Sequence, residues 1–291
     1  MMGTLNRYAE LTKPKVTLLN LLVGATCFVL AAFPTINFTK LAIFLAAGYL
    51  ACGGCGALNC VYDQDTDKMM QRTSKRAIPT GAIPRKAAAV FGTITTVAGV
   101  ALSYLFFNAL TALMMILGTV FYLGVYTILL KRRSSWNVVI GGLAGCFAAL
   151  SGWTAIANTV TLTPLLVSSV DFLWTPGHLW GLATKKVQEY KKAKIPMLPV
   201  TVGLKKTAQV IFLFNLVTIA SSLLFPLLGL AGLVYSVVAV SAGTWLIIES
   251  RKLLISPSEK GGFQVFLFSM PYLAFLMTGL LADKVFLIVK I

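Results

Sequence analysis

The chain has 291 residues, of which 57% are hydrophobic and only 12% are charged, and its formal net charge is +16. This composition excludes an ordinary soluble globular domain, which is far less apolar. Runs of about 20 apolar residues can cross a bilayer as helices. The sequence contains nine such runs, at residues 17–35, 41–60, 87–107, 109–129, 138–157, 163–182, 208–227, 229–248 and 263–282. We therefore predict an all-α membrane protein with nine transmembrane helices in a single integral membrane domain, residues 1–291.

The basic residues are distributed unevenly between the two sides of this predicted topology. With nine spans, 22 of the 25 Lys and Arg residues fall on the side that holds the N-terminus, and only Lys40, Lys284 and Lys290 fall on the other. Excess Lys and Arg marks the cytoplasmic side of a membrane protein. We expect the N-terminus to be in the cytoplasm and the C-terminus outside the cell membrane. The charge then reflects topology and anionic lipid, not nucleic-acid binding.

A polar cluster follows the second predicted span. Asn59, Asp63 and Asp67 are spaced i, i+4, i+8, which places all three on one face of a helix, over about 12 Å. Three basic residues come shortly afterwards: Arg72, Lys75 and Arg76. Carboxylate and amide oxygens suit Mg²⁺, and basic groups suit phosphate oxygens. The pattern predicts a site for a magnesium-bound diphosphate, although solvated charges at a helix terminus would have a similar sequence.

A second polar cluster ends the sixth predicted span, where ionisable groups at membrane depth usually mark a site. It contains Asp171, Trp174, Pro176, Gly177, the only histidine His178, and Trp180, followed by Lys185, Glu189 and Tyr190. His178, Lys185 and Glu189 share one helical face, and Pro176–Gly177 can kink or unwind the helix there. A hydrogen-bonded packing histidine remains an alternative for His178, and Asp171 is not predicted to be catalytic.

The two clusters follow the second and the sixth spans, which are four helices apart. This spacing predicts two four-helix halves plus one further helix around a central cavity. Both clusters would then face each other at the cytoplasmic end of that cavity.

These residues resemble a known family. The Asn59-xxx-Asp63-xxx-Asp67 pattern is similar to the first aspartate-rich motif of the UbiA superfamily of intramembrane prenyltransferases, and the finer resemblance is to the protohaem IX farnesyltransferases (haem O synthases). The stretches that carry it are Leu11–Lys15, Tyr62–Thr73, Tyr126–Gly142, Phe172–Trp180 and Ile195–Pro199. The chain departs from the family pattern at four positions, namely Ala77 and Gly177 for Pro, Leu179 for an aromatic residue and Glu189 for Asp.

The resemblance implies transfer of a farnesyl group from farnesyl diphosphate to a vinyl group of haem b, with Mg²⁺ as cofactor. The expected catalytic residues are Asp63, Asp67, Arg72, Arg76, Lys131 and Lys185. The expected metal ligands are Asn59, Asp63, Asp67 and Glu189. The expected substrate-binding residues are Tyr62, Lys75, Tyr126, Trp174, His178, Trp180 and Tyr190. Besides the lipid bilayer and the two substrates, the resemblance implies an association with the assembly of haem–copper oxidases.

Two other functions fit parts of the pattern. The acceptor could be another aromatic or lipid molecule, such as a quinone precursor. A transporter or channel would instead need an ionisable path across the membrane, and apart from Asp171 the sequence contains none.

Overall fold

The computed structural model describes residues 3–71 and 73–289, with side chains up to residue 286. All regular structure in these residues is helical. The helices are α1 (Thr4–Leu11), α2 (Pro14–Ala32), α3 (Phe38–Tyr62), α4 (Gln64–Met69), α5 (Arg85–Phe106), α6 (Ala109–Leu130), α7 (Asn137–Ala157), α8 (Leu162–Lys185), α9 (Val187–Lys192), α10 (Leu198–Leu227), α11 (Leu233–Ile255) and α12 (Glu259–Val289). Arg72 therefore lies outside the described residues.

Eight helices of the described chain are long and apolar enough to cross a membrane: α2, α3, α5, α6, α7, α10, α11 and α12. The sixth predicted span, 163–182, corresponds to α8, which has a comparable length but is not among those eight. This helix carries polar side chains such as Asp171 and His178, and it packs against α7, α10 and α12. Because neighbouring helices cover it, α8 does not need an apolar surface toward lipid. The protein is thus an all-helical multi-pass membrane protein, and its described residues contain eight strongly apolar helices together with α8 at the position of the remaining predicted span.

Helix packing follows the predicted division into two four-helix halves. In the first half α3 packs along α5, and in the second half α8 packs along α10. Contacts between α2 and α7 join the two halves. Gly24 and Gly152 allow this junction, because a Cβ atom on Gly152 would overlap the backbone carbonyl of Gly24. The additional helix α12 packs against α8, α11 and α2.

The second half of α6, Val120–Leu130, is wound as a π-helix. The backbone N–H of Lys131 donates to the carbonyl of Tyr126 over 2.8 Å, and the Thr127 hydroxyl donates to the carbonyl of Tyr122 over 2.8 Å. Both bonds connect residues five apart, as the wider winding requires. Such segments are rare and are frequently found at functional sites. This one brings Tyr122, Thr127 and Lys131 to the first polar cluster.

Candidate active site

Asn59, Asp63 and Asp67 form a ladder of oxygen ligands across the junction of α3 and α4. The N–H of Asp63 donates to the carbonyl of Asn59 over 2.9 Å, and the N–H of Asp67 donates to the carbonyl of Asp63 over 2.8 Å. Helical spacing therefore continues past the end of α3. The three ladder residues are 2%, 2% and 5% exposed, whereas Asp65 on the other side is exposed. The predicted common face is confirmed.

A cation from a different part of the chain contacts each residue of the ladder. Lys13, between α1 and α2, donates to Asn59 Oδ1, and Lys131, after α6, pairs with Asp63 Oδ2. Arg76, in the loop after α4, pairs with Asp67 Oδ2 over 2.9 Å. Burial lowers the pKa of Arg76, but the nearby acidic groups, first among them Asp67, together outweigh it, so the pKa lies above its ordinary value and the guanidinium stays charged.

The chemistry of the ladder fits a hard divalent cation. Oδ1 of Asp63 is buried and has no hydrogen-bond partner, and a buried carboxylate oxygen without a partner is costly unless a cation approaches it. The amide nitrogen of Asn59 donates to Thr127 Oγ1 over 2.9 Å, which fixes the direction of its oxygen. No group of three or more acidic, Cys or His side chains suited to a metal occurs among the described residues. Two carboxylates with substrate phosphates are nevertheless a usual way to hold Mg²⁺.

Aromatic residues tie the end of α3 to the end of α6. The Arg132 guanidinium lies 5.0 Å from the centre of the Tyr62 ring and donates to the Tyr62 carbonyl over 3.1 Å. The Lys131 ammonium lies 6.0 Å from the centre of the Tyr126 ring, which stacks on Tyr122 at 5.9 Å. These contacts hold Lys131 beside the ladder.

An apolar cavity of about 120 Å³ begins at this cluster, and its walls come from α2, α3, α6 and α7. At its polar end, the Lys13 ammonium donates to the Tyr122 hydroxyl over 3.3 Å as well as to Asn59. One water molecule needs roughly 10–15 Å³ of such volume, so the cavity has room for several groups of that size. A cavity with basic side chains at one end and apolar walls suits a molecule with an anionic group and a hydrocarbon tail.

Comparison with known proteins identifies the chain's family. Residues 18–277 match the model of the UbiA prenyltransferase family. The chain belongs to this family. It is therefore a prenyltransferase, as the resemblance of its motifs implies.

Individual relatives support the same conclusion over nearly the whole length. The prenyltransferase is 37% identical to a protohaem IX farnesyltransferase of Nostoc sp., over 95% of this chain and 88% of the relative. It is 36% identical to one of Caldivirga maquilingensis, over 97% and 100%.

Solved structures show the same fold at low sequence identity. A digeranylgeranylglyceryl phosphate synthase superposes with a TM-score of 0.76 at 18% identity, covering 97% of this chain and 99% of that one. A UbiA homologue from Archaeoglobus fulgidus bound to GPP and Mg²⁺ gives 0.69 at 16%, covering 94% and 99%.

Lys13 is a site residue that the sequence analysis did not select. It has φ 49° and ψ 60°, a left-handed conformation that is uncommon for a residue with a side chain. The following Pro14 disfavours the α-helical region at position 13, so the chain turns there before α2 begins. The sequence feature that could have identified Lys13 is a lysine directly before a proline at the start of the first span, within the stretch Leu11–Lys15.

The second polar cluster of the prenyltransferase is built between α8 and α12. His178 Nδ1 and Ser269 Oγ are 2.7 Å apart, and the imidazole stacks on Trp174 at 4.2 Å and contacts the tilted ring of Phe266 at 4.5 Å. The Trp174 indole donates to the Ser269 carbonyl over 2.7 Å. The sequence offered only hydrophobicity in α12, so Phe266 and Ser269 were missed.

Unwinding of α8 at Pro176–Gly177 does not occur, since Leu162–Lys185 is one helix. Packing explains why the helix does not unwind there: α7, α10 and α12 hold it. Gly177 also lets α10 approach closely, because a Cβ atom there would overlap the Asn215 side-chain oxygen.

The remaining predicted site residues are Lys75, Trp180, Lys185, Glu189 and Tyr190. Trp180 is fully buried against Trp136 and Phe214, and Tyr190 is buried. The Lys185 ammonium lies 3.6 Å from the centre of the Phe263 ring, and Glu189 pairs with Lys186 over 2.6 Å. Lys75 is exposed. The walls of the cavity do not include Trp174, His178, Trp180 or Tyr190, so the meeting of both clusters across one cavity stays a prediction.

Proposed function

We propose that this prenyltransferase transfers a farnesyl group from farnesyl diphosphate to a vinyl group of protohaem IX, with Mg²⁺ as its cofactor. One observation carries the proposal: a buried ladder of Asn59, Asp63 and Asp67, contacted by three cations, at the head of an apolar cavity. The protohaem IX farnesyltransferases of other organisms, similar over nearly the full length, support the acceptor and the prenyl group.

The ladder would hold Mg²⁺ through Asp63 and Asp67, with Asn59 as a further oxygen ligand. The unpartnered Oδ1 of Asp63 supports this assignment, as does the fold shared with a homologue that binds GPP and Mg²⁺. When bound, the metal would neutralise charge on the diphosphate. Lys13, Lys131 and Arg76 lie within contact of the ladder, so each is within side-chain reach of a diphosphate bound there.

These cations act on the charge that develops as the allylic C–O bond breaks and its electron pair leaves with the diphosphate. A carbon of the haem vinyl group attacks the allylic cation and forms the new C–C bond. Water then adds to the cation left on the former vinyl group and loses a proton, which gives a hydroxyethylfarnesyl side chain. The apolar walls of the cavity keep water from the allylic cation before the acceptor attacks.

We assign the acceptor to the second cluster. The cluster of aromatic rings of Trp174, His178 and Phe266 suits a porphyrin ring better than it suits a phosphate. Trp180 and Tyr190 belong to the same proposed acceptor region, and Arg72, Lys75, Lys185 and Glu189 to the proposed diphosphate and metal site. The partition of basic residues supports a cytoplasmic active site in the cell membrane. We further propose that the product supplies haem–copper oxidases during their assembly.

Mass spectrometry of extracted haem tests the proposal. Cells that express the protein should contain haem b with the added mass of one farnesyl group and one hydroxyl group, and cells that express Asp67→Ala should not. A prenylated quinone precursor in place of modified haem would favour the alternative acceptor. Turnover by the purified protein that is unaffected by a metal chelator would contradict the magnesium site.

A further inference from the structure

A phenylalanine ring backed by two others closes the cavity at the end opposite Lys13. Phe44 of α3 lines the cavity there. Behind it lie Phe28 of α2, with ring centres 5.4 Å apart, and Phe107 in the connection between α5 and α6, with ring centres 6.2 Å apart. Phe28 and Phe107 also contact each other at 6.2 Å. We call these three residues the floor of the cavity.

The Phe44 ring is held in place from several directions. It is 2% exposed and packs in one cluster with Ala47, Met115 and Ala155. Gly24 on the facing helix leaves the space that the ring fills, since a Cβ atom there would lie 3.2 Å from Cζ of Phe44. A ring enclosed in this way cannot move aside without disturbing a close-packed interior, which is energetically costly.

The distance from the polar head to the floor is fixed by helix geometry. On α3 the cavity walls extend from Gly56, one turn from Asn59, to Phe44, which is about 18 Å of helix at 1.5 Å per residue. An anionic head anchored at the ladder therefore leaves a defined length for the hydrocarbon tail.

We propose that Phe44, backed by Phe28 and Phe107, sets the maximum length of the prenyl diphosphate that this enzyme accepts. This inference rests on the proposed function, because it requires the diphosphate to bind at the ladder and the tail to enter the cavity. A tail with one isoprene unit too many meets the floor before its diphosphate reaches Lys13 and Asn59.

Binding of geranyl, farnesyl and geranylgeranyl diphosphates to the purified full-length protein, with Mg²⁺ and without any acceptor, tests this role. Differences of single small groups in an apolar pocket change selectivity roughly 10–200-fold. Phe44→Ala should raise the affinity for geranylgeranyl relative to farnesyl diphosphate by at least about tenfold. Phe44→Leu, which disturbs packing less, should shift the ratio in the same direction by a smaller factor.

A variant that fills the cavity should have the opposite effect. Gly118 lines the cavity one turn of α6 beyond Tyr122, and a Cβ atom there would meet only Phe147 Cβ at 3.3 Å and the Ala144 carbonyl at 3.7 Å. Gly118→Val should therefore favour geranyl over farnesyl diphosphate. This variant tests tail entry into the cavity independently of the Phe44 variants, and Phe44→Leu still tests the floor even if Phe44→Ala does not fold.

Phe225→Ala is the matched control, because Phe225 is a helical phenylalanine with 1% exposure that lies away from the cavity and packs on Tyr235. It should leave the length preference unchanged.

An equal shift in this control, or folded Phe44 variants with the wild-type preference, would overturn the role of the floor. If wild-type protein binds none of the three diphosphates, both proposals fall. If the preference shifts as expected but haem is never modified, only the proposed acceptor falls.

Discussion

Replacing Asp63 with alanine should nearly abolish turnover while leaving a folded protein. Asp63 is 2% exposed, pairs with Lys131 through one oxygen, and presents the other without a partner. Loss of one group that stabilises transition-state charge typically lowers the rate by about 10²–10³, or roughly 2.7–4 kcal/mol of activation free energy. We expect a decrease in kcat of this size for Asp63→Ala.

The same substitution also affects stability, and a second change separates the two effects. Removing one partner of a buried ion pair costs roughly 3–5 kcal/mol, because the remaining charge stays buried. The Lys131 side chain is 14% exposed, so the cost should be near the lower limit. Adding Lys131→Met to Asp63→Ala removes the uncompensated charge. The double variant should recover thermal stability but no activity, since the proposed metal ligand is still missing.

Asp65→Ala is the control, because it makes the same chemical change two residues away at an exposed position. It should retain activity within about threefold, as surface substitutions usually perturb little. The assay is release of diphosphate by purified protein during a magnesium titration, with Tm measured on the same samples. Wild-type kcat in Asp63→Ala would refute the metal–diphosphate site. Recovery of activity in the double variant would show that Asp63 only neutralises Lys131.

Three further predictions address other parts of the proposal. Lys13→Met should weaken prenyl diphosphate binding roughly 10–100-fold, since a hydrogen bond from a charged group contributes about 1.5–3 kcal/mol; unchanged affinity in a binding titration would remove Lys13 from the site. His178→Ala should lower kcat/KM for haem and preserve prenyl diphosphate affinity, and the opposite pattern would assign His178 to the leaving group. A topology reporter after Ile291 should signal outside the cell and one near Lys131 inside, and any other result contradicts the proposed orientation.

The sequence alone was sufficient for features that depend on neighbouring residues. Apolar runs long enough for a bilayer determined the membrane helices, because a helix satisfies its own backbone hydrogen bonds in lipid. The spacing of Asn59, Asp63 and Asp67 determined their common face, and the structure preserves it even though α3 ends at Tyr62. Local composition was less informative about α8, because this helix packs against other helices and continues through Pro176.

Only the tertiary structure decided which distant residues meet. Lys13 contacts Asn59 across 46 positions of the chain, Lys131 pairs with Asp63 across 68, and His178 meets Ser269 across 91. The floor at Phe44 likewise needs rings from three separate parts of the chain. Such contacts follow from how whole helices pack, through glycines such as Gly24 and Gly152 that let backbones touch. Periodicity within one helix specifies which face is buried, but it carries no information about which helix lies opposite.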